Sequence, residues 1–130
     1  MKKFLITLCA LLAFTTAAFC ASPKVQKIID DTVKATQAEL PLSVDDYTIL
    51  WGFSGNDDTV TYHYAVTVTS EDIDGDAFKE AMIPQLVQVL KSSKDPTIKS
   101  LMKNKVTFEH KYYGVDGVVI ADLLIGPDLY

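Results

Sequence analysis

Residues 108–125, which read FEHKYYGVDGVVIADLLI, predict a self-consistent β-hairpin. Asp116 and Gly117 form a dipeptide typical of a two-residue type I′ turn. Counting outward from this turn places Lys111 opposite Asp122, so that opposite charges face each other. The other face of the hairpin then carries a mostly apolar set: Phe108, His110, Tyr112, Ala121, Leu123 and Ile125. Charge pairing and hydrophobicity therefore predict the same register.

Residues 59–69 show the clearest strand pattern upstream of this hairpin. Apolar or aromatic residues alternate with polar ones, as in a strand with one packed and one solvated face. Residues 47–53 alternate as well, and a turn cluster at 54–58 joins the two segments into a second hairpin. The packed face is predicted to carry Tyr47, Ile49, Trp51 and Phe53 from the first strand and Val60, Tyr62, Tyr64, Val66 and Val68 from the second.

Helical spacing of apolar residues predicts three helices around these strands. Ser22 begins the first helix and Pro41 stops it. The second helix begins at Asp74 or Asp76, and Asp95 caps the third. The order of elements is therefore α-β-β-α-α-β-β. We predict a two-layer α+β fold, in which an antiparallel sheet of about four strands, built from two hairpins, packs its helices on one face.

The N-terminal 21 residues predict that the protein is exported. Lys2 and Lys3 precede an apolar run and then small residues, the pattern of a cleavable secretory signal peptide. The run is shorter than the roughly 20 residues that a bilayer-spanning helix needs, so we expect no membrane span. Residues 1–21 are expected to be removed, and residues 22–130 to form a single small domain in the periplasm or outside the cell.

Both cysteines, Cys9 and Cys20, lie in or beside this signal segment. Small residues allow cleavage after Ala18 or after Cys20. A lipid anchor on Cys20 is disfavoured, because Phe19 stands where a lipoprotein signal needs a small residue. The mature domain is therefore expected to depend on packing rather than on disulfides.

The charge balance argues against a nucleic acid partner. The chain has 12 basic residues, all of them lysine, against 17 acidic residues, for a formal net charge of −5. It lacks the guanidinium fork that recognises phosphates in two places at once. Nucleic acids and anionic membrane surfaces are therefore poor candidates for partners.

Motifs that would identify catalysis or a cofactor are missing from the sequence, so we predict no catalytic residue and no cofactor. His63 and His110 fall on opposite faces of the predicted sheet, so we do not expect them to bind the same metal ion. The acidic residues Asp72, Asp74 and Asp76 form a weak calcium-loop candidate, since the position for the bidentate glutamate is occupied by Ala81. Capping of the second helix is the favoured interpretation of these aspartates.

The outer face of the C-terminal hairpin is more apolar than a solvated face should be. The residues that we predict to form an interaction patch there are Tyr113, Val115, Val118, Ile120 and Leu124. Such a patch indicates docking of a protein partner or of a second copy of the chain. The alternative is that residues 126–130 or the first helix cover it.

A second candidate site lies between the sheet and the helices. Tyr62, Tyr64, His110 and Tyr112 are predicted to turn inward, where they would line a pocket for a small ligand. For His110 the favoured interpretation is a buried imidazole that is hydrogen-bonded to a tyrosine or to the backbone.

These observations favour an exported, non-enzymatic protein-interaction module, such as an inhibitor, adaptor or assembly factor. The alternative is a binder of a small apolar or amphipathic ligand between sheet and helices. A carboxylate-based hydrolase is a weaker alternative, because acidic side chains from distant positions could meet in the fold.

Overall fold

Eight elements follow one another in residues 22–130, the part of the chain that the computed structural model describes. The helices are α1 (Pro23–Gln37), α2 (Gly75–Ser92) and α3 (Pro96–Lys103). The strands are β1 (Leu42–Asp45), β2 (Thr48–Asn56), β3 (Thr59–Val66), β4 (Thr107–Tyr113) and β5 (Val119–Ile125). The predicted signal peptide, both cysteines and the possible lipid anchor lie outside the described residues.

The helices begin where the sequence predicts, because a short polar side chain caps each of them. The Ser22 hydroxyl accepts a hydrogen bond from the Val25 N–H at 3.3 Å. Asp74, rather than Asp76, caps α2, since its carboxylate accepts from two backbone N–H groups of the first turn. The Asp95 carboxylate accepts from the Thr97 N–H at 2.8 Å. Each cap satisfies a donor that has no partner within the helix.

The sheet has five strands in the order β1-β2-β3-β4-β5, and it is mixed rather than antiparallel. This corrects the predicted sheet of about four antiparallel strands. Strand β1 gave no signal because its four residues are all exposed and show no alternation in burial. Strands β3 and β4 are parallel, because the chain returns between them through α2 and α3 in a helical crossover.

The predicted register of the C-terminal hairpin is confirmed for most of its length. Lys111 lies opposite Asp122, and the ladder keeps this register from Phe108 to Tyr112. The turn differs from the prediction, since three residues and not two form the loop. Gly114 accepts from the Gly117 N–H at 3.0 Å, and Gly117 has a φ of 77°, as in a type I turn closed by a glycine bulge.

A second bulge in β5 compensates for this longer loop. Tyr113 pairs with Val119, although Tyr112 pairs with Ala121, so that Ile120 is an extra residue in the ladder. Such a bulge changes which side chains face the core. Ile120 accordingly packs against the core, and Val119 is exposed.

A bulge in β2 likewise corrects the predicted faces of residues 47–53. The ladder to β3 shifts between Leu50 and Gly52, so that alternation restarts after Trp51. Leu50 and Phe53 are therefore buried, whereas Ile49 and Trp51 are exposed. Of the four residues between positions 47 and 53 that are predicted to share a packed face, only Phe53 lies in the core.

All three helices pack on the same face of the sheet. One core cluster joins each helix to β2, β3, β4 and β5 through Ile29, Phe53, Val60, Leu90, Leu101, Val106, Phe108 and Ile125. The other lies beneath α2 and contains Leu50, Tyr64, Val66, Tyr112, Ala121 and Leu123. Among the helices of residues 22–130, none has the length and hydropathy for a bilayer crossing.

Candidate functional site

The second face of the sheet carries no helix, and we call it the open face. Its positions alternate along each strand with those that the helices bury. The open face is defined by Ile49, Trp51, Thr61, His63, Glu109, Lys111, Tyr113, Val119, Asp122 and Leu124.

The structure places four of the five predicted patch residues on or beside the open face. Leu124 is 57% exposed, and the loop residues Val115 and Val118 are 67% and 52% exposed. Tyr113 is half-buried on the open face. Ile120 is not on this face, because the bulge in β5 turns it toward the core. Val119, which the sequence analysis did not single out, is 45% exposed in its place.

Neither segment that was considered as a cover lies over the open face. Helix α1 packs on the opposite face, where Ile29 is fully buried in the core. The C-terminal Tyr130 packs there too, with its ring edge-on to Phe108 at 5.9 Å. Its hydroxyl donates to the Val106 carbonyl at 2.8 Å. The apolar residues of the open face are therefore uncovered by any part of residues 22–130.

Three rings from adjacent strands meet at one end of the open face, and we call them the aromatic trio: Trp51, His63 and Tyr113. The Trp51 ring lies 5.2 Å from that of His63 and 5.6 Å from that of Tyr113. The two nitrogens of His63 contact the Tyr113 hydroxyl at 3.2 Å and the Ser54 hydroxyl at 3.1 Å. Partial burial and the charge of Lys111 lower the pKa of His63.

The aromatic trio was not predicted, because the sequence carries no signal that aligns β3 with β4. The alignment places Ala65 beside Tyr113 and His63 beside Lys111. The bulge at Trp51 then brings the indole to the same end of the sheet. The sequence shows that the three residues are aromatic, but it does not predict that they lie together.

Two carboxyl groups, those of Glu109 and Asp122, lie close enough on the open face to affect each other's pKa. Burial raises the pKa of Asp122 to about 6, and the nearby Glu109 contributes. The pKa of Glu109 is lowered even though its partial burial acts in the opposite direction, because Asp122 and Thr61 donate hydrogen bonds to it. The Thr61 hydroxyl donates to Glu109 at 2.7 Å. Below about pH 6, protonated Asp122 therefore donates a hydrogen bond to ionised Glu109.

A proton held by Asp122 below about pH 6 is consistent with two further observations. The Oδ1 atom of Asp122 is buried, and an ionised carboxylate would leave it without a hydrogen-bond partner in the described residues. Lys111 lies opposite Asp122 in the register, yet the structure places no ion contact between them. A carboxyl group that holds a proton needs no cation beside it.

We expect Asp122→Asn to stabilise the protein at pH 8 and to have much less effect at pH 4.5. The folded-state pKa of Asp122 is raised, so the stability that the wild-type carboxyl contributes is full below its unfolded pKa and is lost as the pH rises through about 6. The variant avoids this loss, and its advantage over the wild type therefore appears at high pH. The asparagine amide donates to Glu109 at every pH. Thermal melts followed by circular dichroism at the two pH values measure the difference.

Asp46→Asn is the matched control, because Asp46 is exposed in the turn between β1 and β2. It should change neither melt by more than a degree or so. An equal gain for Asp122→Asn at both pH values would mean that the two carboxyl groups do not share a proton.

This carboxyl pair does not match the geometry of a glycoside hydrolase. The two acids of such enzymes stand about 5 to 9.5 Å apart on either side of a sugar. Glu109 and Asp122 instead hydrogen-bond to each other on an open surface. His63 and His110 lie on opposite faces of the sheet, as predicted. The described residues offer no group of three metal-ligating side chains.

The three aspartates of the calcium candidate are not gathered around one point. The Asp74 carboxylate caps α2. The Asp72 carboxylate accepts from the Thr69 hydroxyl at 2.8 Å. Asp76 lies in the first turn of α2, where its charge complements the helix dipole.

The predicted inner site corresponds to an apolar cavity of about 280 Å³ between the sheet and α2. Tyr62, Tyr64 and His110 line it, whereas Tyr112 is buried behind them and stacks on Tyr64 at 4.6 Å. The predicted tyrosine partner of His110 is confirmed, since the Tyr64 hydroxyl lies 3.0 Å from its Nδ1. Burial lowers the pKa of His110 to about 4. Its Nε2 has no partner in the described residues.

Comparison with known proteins shows likeness in fold and not in sequence. No protein-family model matches the chain, and no curated protein matches it. A Pseudomonas aeruginosa protein described as secreted has a similar structure, with a TM-score of 0.68 and 12% identity over 84% of this chain and 97% of that one.

Two pilotins of type II secretion systems also have similar structures. AspS from Vibrio cholerae has a TM-score of 0.61 and 16% identity, over 82% of this chain and 95% of its own. EpsS from Vibrio vulnificus has a TM-score of 0.57 and 15% identity, over 82% of this chain and 94% of its own. At these identities the shared property is the α+β fold.

Proposed function

We propose that this protein is an exported, non-enzymatic assembly factor with a pilotin-like role in type II secretion, and that it binds a protein partner through the open face. The observation that carries the proposal is the uncovered apolar surface of that face. Trp51 is 49% exposed, Ile49 46% and Leu124 57%. A sheet face that stays in water is normally polar, so side chains of this kind indicate an interface.

The aromatic trio is suited to be the anchor of such an interface. Tryptophan and tyrosine are among the residues that contribute most to protein association, because they bury a large area with few rotatable bonds. His63 holds the Tyr113 hydroxyl through one nitrogen and contacts the Trp51 ring. The anchor is therefore ordered before a partner arrives, which lowers the entropic cost of binding.

The charges around the open face indicate the chemistry of the partner. Beside Leu124 lies a polar depression of about 340 Å³ whose lining includes Asp57, Asp58 and Glu109. A partner that presents an apolar centre and lysine or arginine residues toward this side would be complementary to it. The formal net charge of −5 favours the same choice.

The similar structures support a role in secretion. Two of them are described as pilotins of type II secretion systems, and the third is described as secreted. The predicted signal peptide would bring this chain to the same side of the membrane as exported proteins. The partner we propose is therefore a component of the type II secretion apparatus.

We expect Trp51→Ala to weaken partner binding by at least tenfold and to leave the fold intact, because the indole is half exposed. The measurement has two stages. A photo-crosslinking residue at position 124, in cells that carry a type II secretion system, identifies the bound protein. Titration calorimetry with that purified protein then compares wild-type and Trp51→Ala forms.

Val89 provides the matched control, since it is an equally exposed apolar residue on α2, away from the open face. Val89→Ser should bind as the wild type does, and a crosslinker at position 89 should not capture the same protein. Equal crosslinking from positions 89 and 124 would contradict docking on the open face. Light scattering tests a second copy as occupant: a dimer that Trp51→Ala dissociates would replace the proposed partner by the chain itself.

A further inference from the structure

Two neighbouring depressions lie on the helical side of the molecule, one with an apolar lining and the other with an acidic lining. The apolar cavity has about 280 Å³ and is lined mainly by aliphatic and aromatic side chains of α2, α3 and the sheet. The other depression has about 350 Å³ and lies between α1 and the start of α3. Tyr62 and Ile98 line both, so they form the wall between them. Together the two volumes fall within the range of small-molecule sites, about 300 to 1,000 Å³.

The second depression is acidic. Asp31, Glu39 and Asp95 line it, and no lysine lines either depression. The Asp31 charge is partly offset by Lys27 at 2.7 Å, but that pair is exposed to solvent and weak. Burial raises the pKa of Tyr62 to about 12, and the negative charge of Asp95 contributes. The phenol on the shared wall is therefore close enough to the acidic depression to be influenced by its charge.

The apolar cavity contains a polar group whose hydrogen bonding is incomplete. His110 lines the cavity and is only 5% exposed. Its Nδ1 contacts Tyr64, whereas its buried Nε2 has no partner in the described residues. Buried polar atoms without a partner are rare in folded proteins and call for an explanation. An occupant that brings a polar atom to this cavity would supply the missing partner.

We propose that the paired depressions bind a small cationic amphiphile. Its alkyl or aryl group fills the apolar cavity and carries a hydroxyl to the Nε2 of His110, and its ammonium group lies among Asp31, Glu39 and Asp95. The acidic lining excludes carboxylate ligands of the same size by charge repulsion. The site is separate from the open face, which lies on the other side of the sheet.

Hexylammonium, 1-hexanol and hexanoate are the matched probes for this site. Chemical shifts of Tyr62, Leu86 and Ile98 in NMR titrations report occupancy and yield dissociation constants. We expect hexylammonium to bind at least tenfold more tightly than hexanoate, with 1-hexanol between them. Equal affinity for the cation and the anion, or shifts that avoid these three residues, would overturn the proposal.

Variants separate the acidic half from the apolar half. Asp95→Asn removes a charge and keeps the cap of α3, because asparagine caps helices as well as aspartate does. It should weaken hexylammonium by threefold or more and leave 1-hexanol unchanged. Val89→Ser, at an exposed position of the apolar lining, should weaken both ligands.

Glu71→Gln is the charge control, since Glu71 is exposed and lines neither depression. It should leave both affinities unchanged. If Glu71→Gln weakens hexylammonium as much as Asp95→Asn does, the amine responds only to the overall charge of the protein and the assigned site is wrong.

Discussion

Acidification from pH 6.5 to pH 4 is expected to remove about 3 kcal/mol of folding stability through His110 alone. The imidazole is 5% exposed, and burial lowers its pKa to about 4. The unfolded chain takes up a proton near pH 6.5, whereas the folded protein resists it down to about pH 4. The stabilisation is therefore complete above pH 6.5 and is lost as the pH falls toward 4.

Asp122 titrates in the opposite sense over part of the same range, because its folded-state pKa of about 6 is raised. Its contribution grows as the pH falls. The side chain is partly exposed, so solvent screens its effect, and His110 should dominate. Urea unfolding at several pH values, carried out in the Asp122→Asn background, isolates the histidine.

His110→Phe and His63→Phe form a matched pair for this experiment, since they replace histidines on opposite faces of the sheet. His110→Phe should lower stability at pH 7, because the Tyr64 hydroxyl loses its partner. Its unfolding free energy should then fall much less between pH 6.5 and 4, and the remaining loss would come from His63, whose pKa is also lowered. His63→Phe should keep most of the acid sensitivity. If both variants keep it equally, His110 is not its source.

Gly55→Ala is expected to destabilise the protein by about 2 kcal/mol, since α1 crosses β2 at this glycine with no room for a methyl group. A Cβ at position 55 would lie 2.3 Å from the Ile29 Cγ2 and 3.0 Å from the Val33 Cγ2. Ile29 is fully buried and cannot move without disturbing the core. Chemical denaturation measures the loss.

Gly52→Ala in the same strand provides the comparison. The nearest atoms to its Cβ would be the Cβ and Cδ2 of His63 at 3.3 Å, a contact that a movement of a few tenths of an ångström relieves. Neither glycine has a positive φ, so both changes restrict the unfolded chain alike and strain no backbone. We expect Gly52→Ala to be neutral within about 0.5 kcal/mol. Equal losses at positions 52 and 55 would show that close packing of α1 is not the cause.

Local patterns in the sequence were sufficient to predict the helices and the C-terminal hairpin. Helix starts depend on one capping side chain, and Ser22 and Asp95 are both where such caps belong. The pairing of Lys111 with Asp122 follows from a short loop and from alternation, which are also local. These features involve residues close together in the chain.

Features that depend on distant contacts could not be predicted in the same way. The bulges at Trp51 and Ile120 arise where a strand adjusts to its neighbours, and each exchanges an inward for an outward side chain. For this reason Ile120 was expected in the interaction patch, whereas Trp51 was expected in the core. The candidate site on the open face depends on both bulges, so its position emerged only from the fold.

The parallel pairing of β3 with β4 also has a consequence for how the chain folds. Thr61 and Glu109, which hydrogen-bond across this pair, are 48 residues apart in sequence. The hairpins on either side close over short loops and can form in microseconds. Joining them closes the long segment that contains α2 and α3, which costs the entropy of a long loop. We therefore expect assembly of the sheet centre to be the slow step of folding, and changes in this pair to alter the folding rate more than changes in β1.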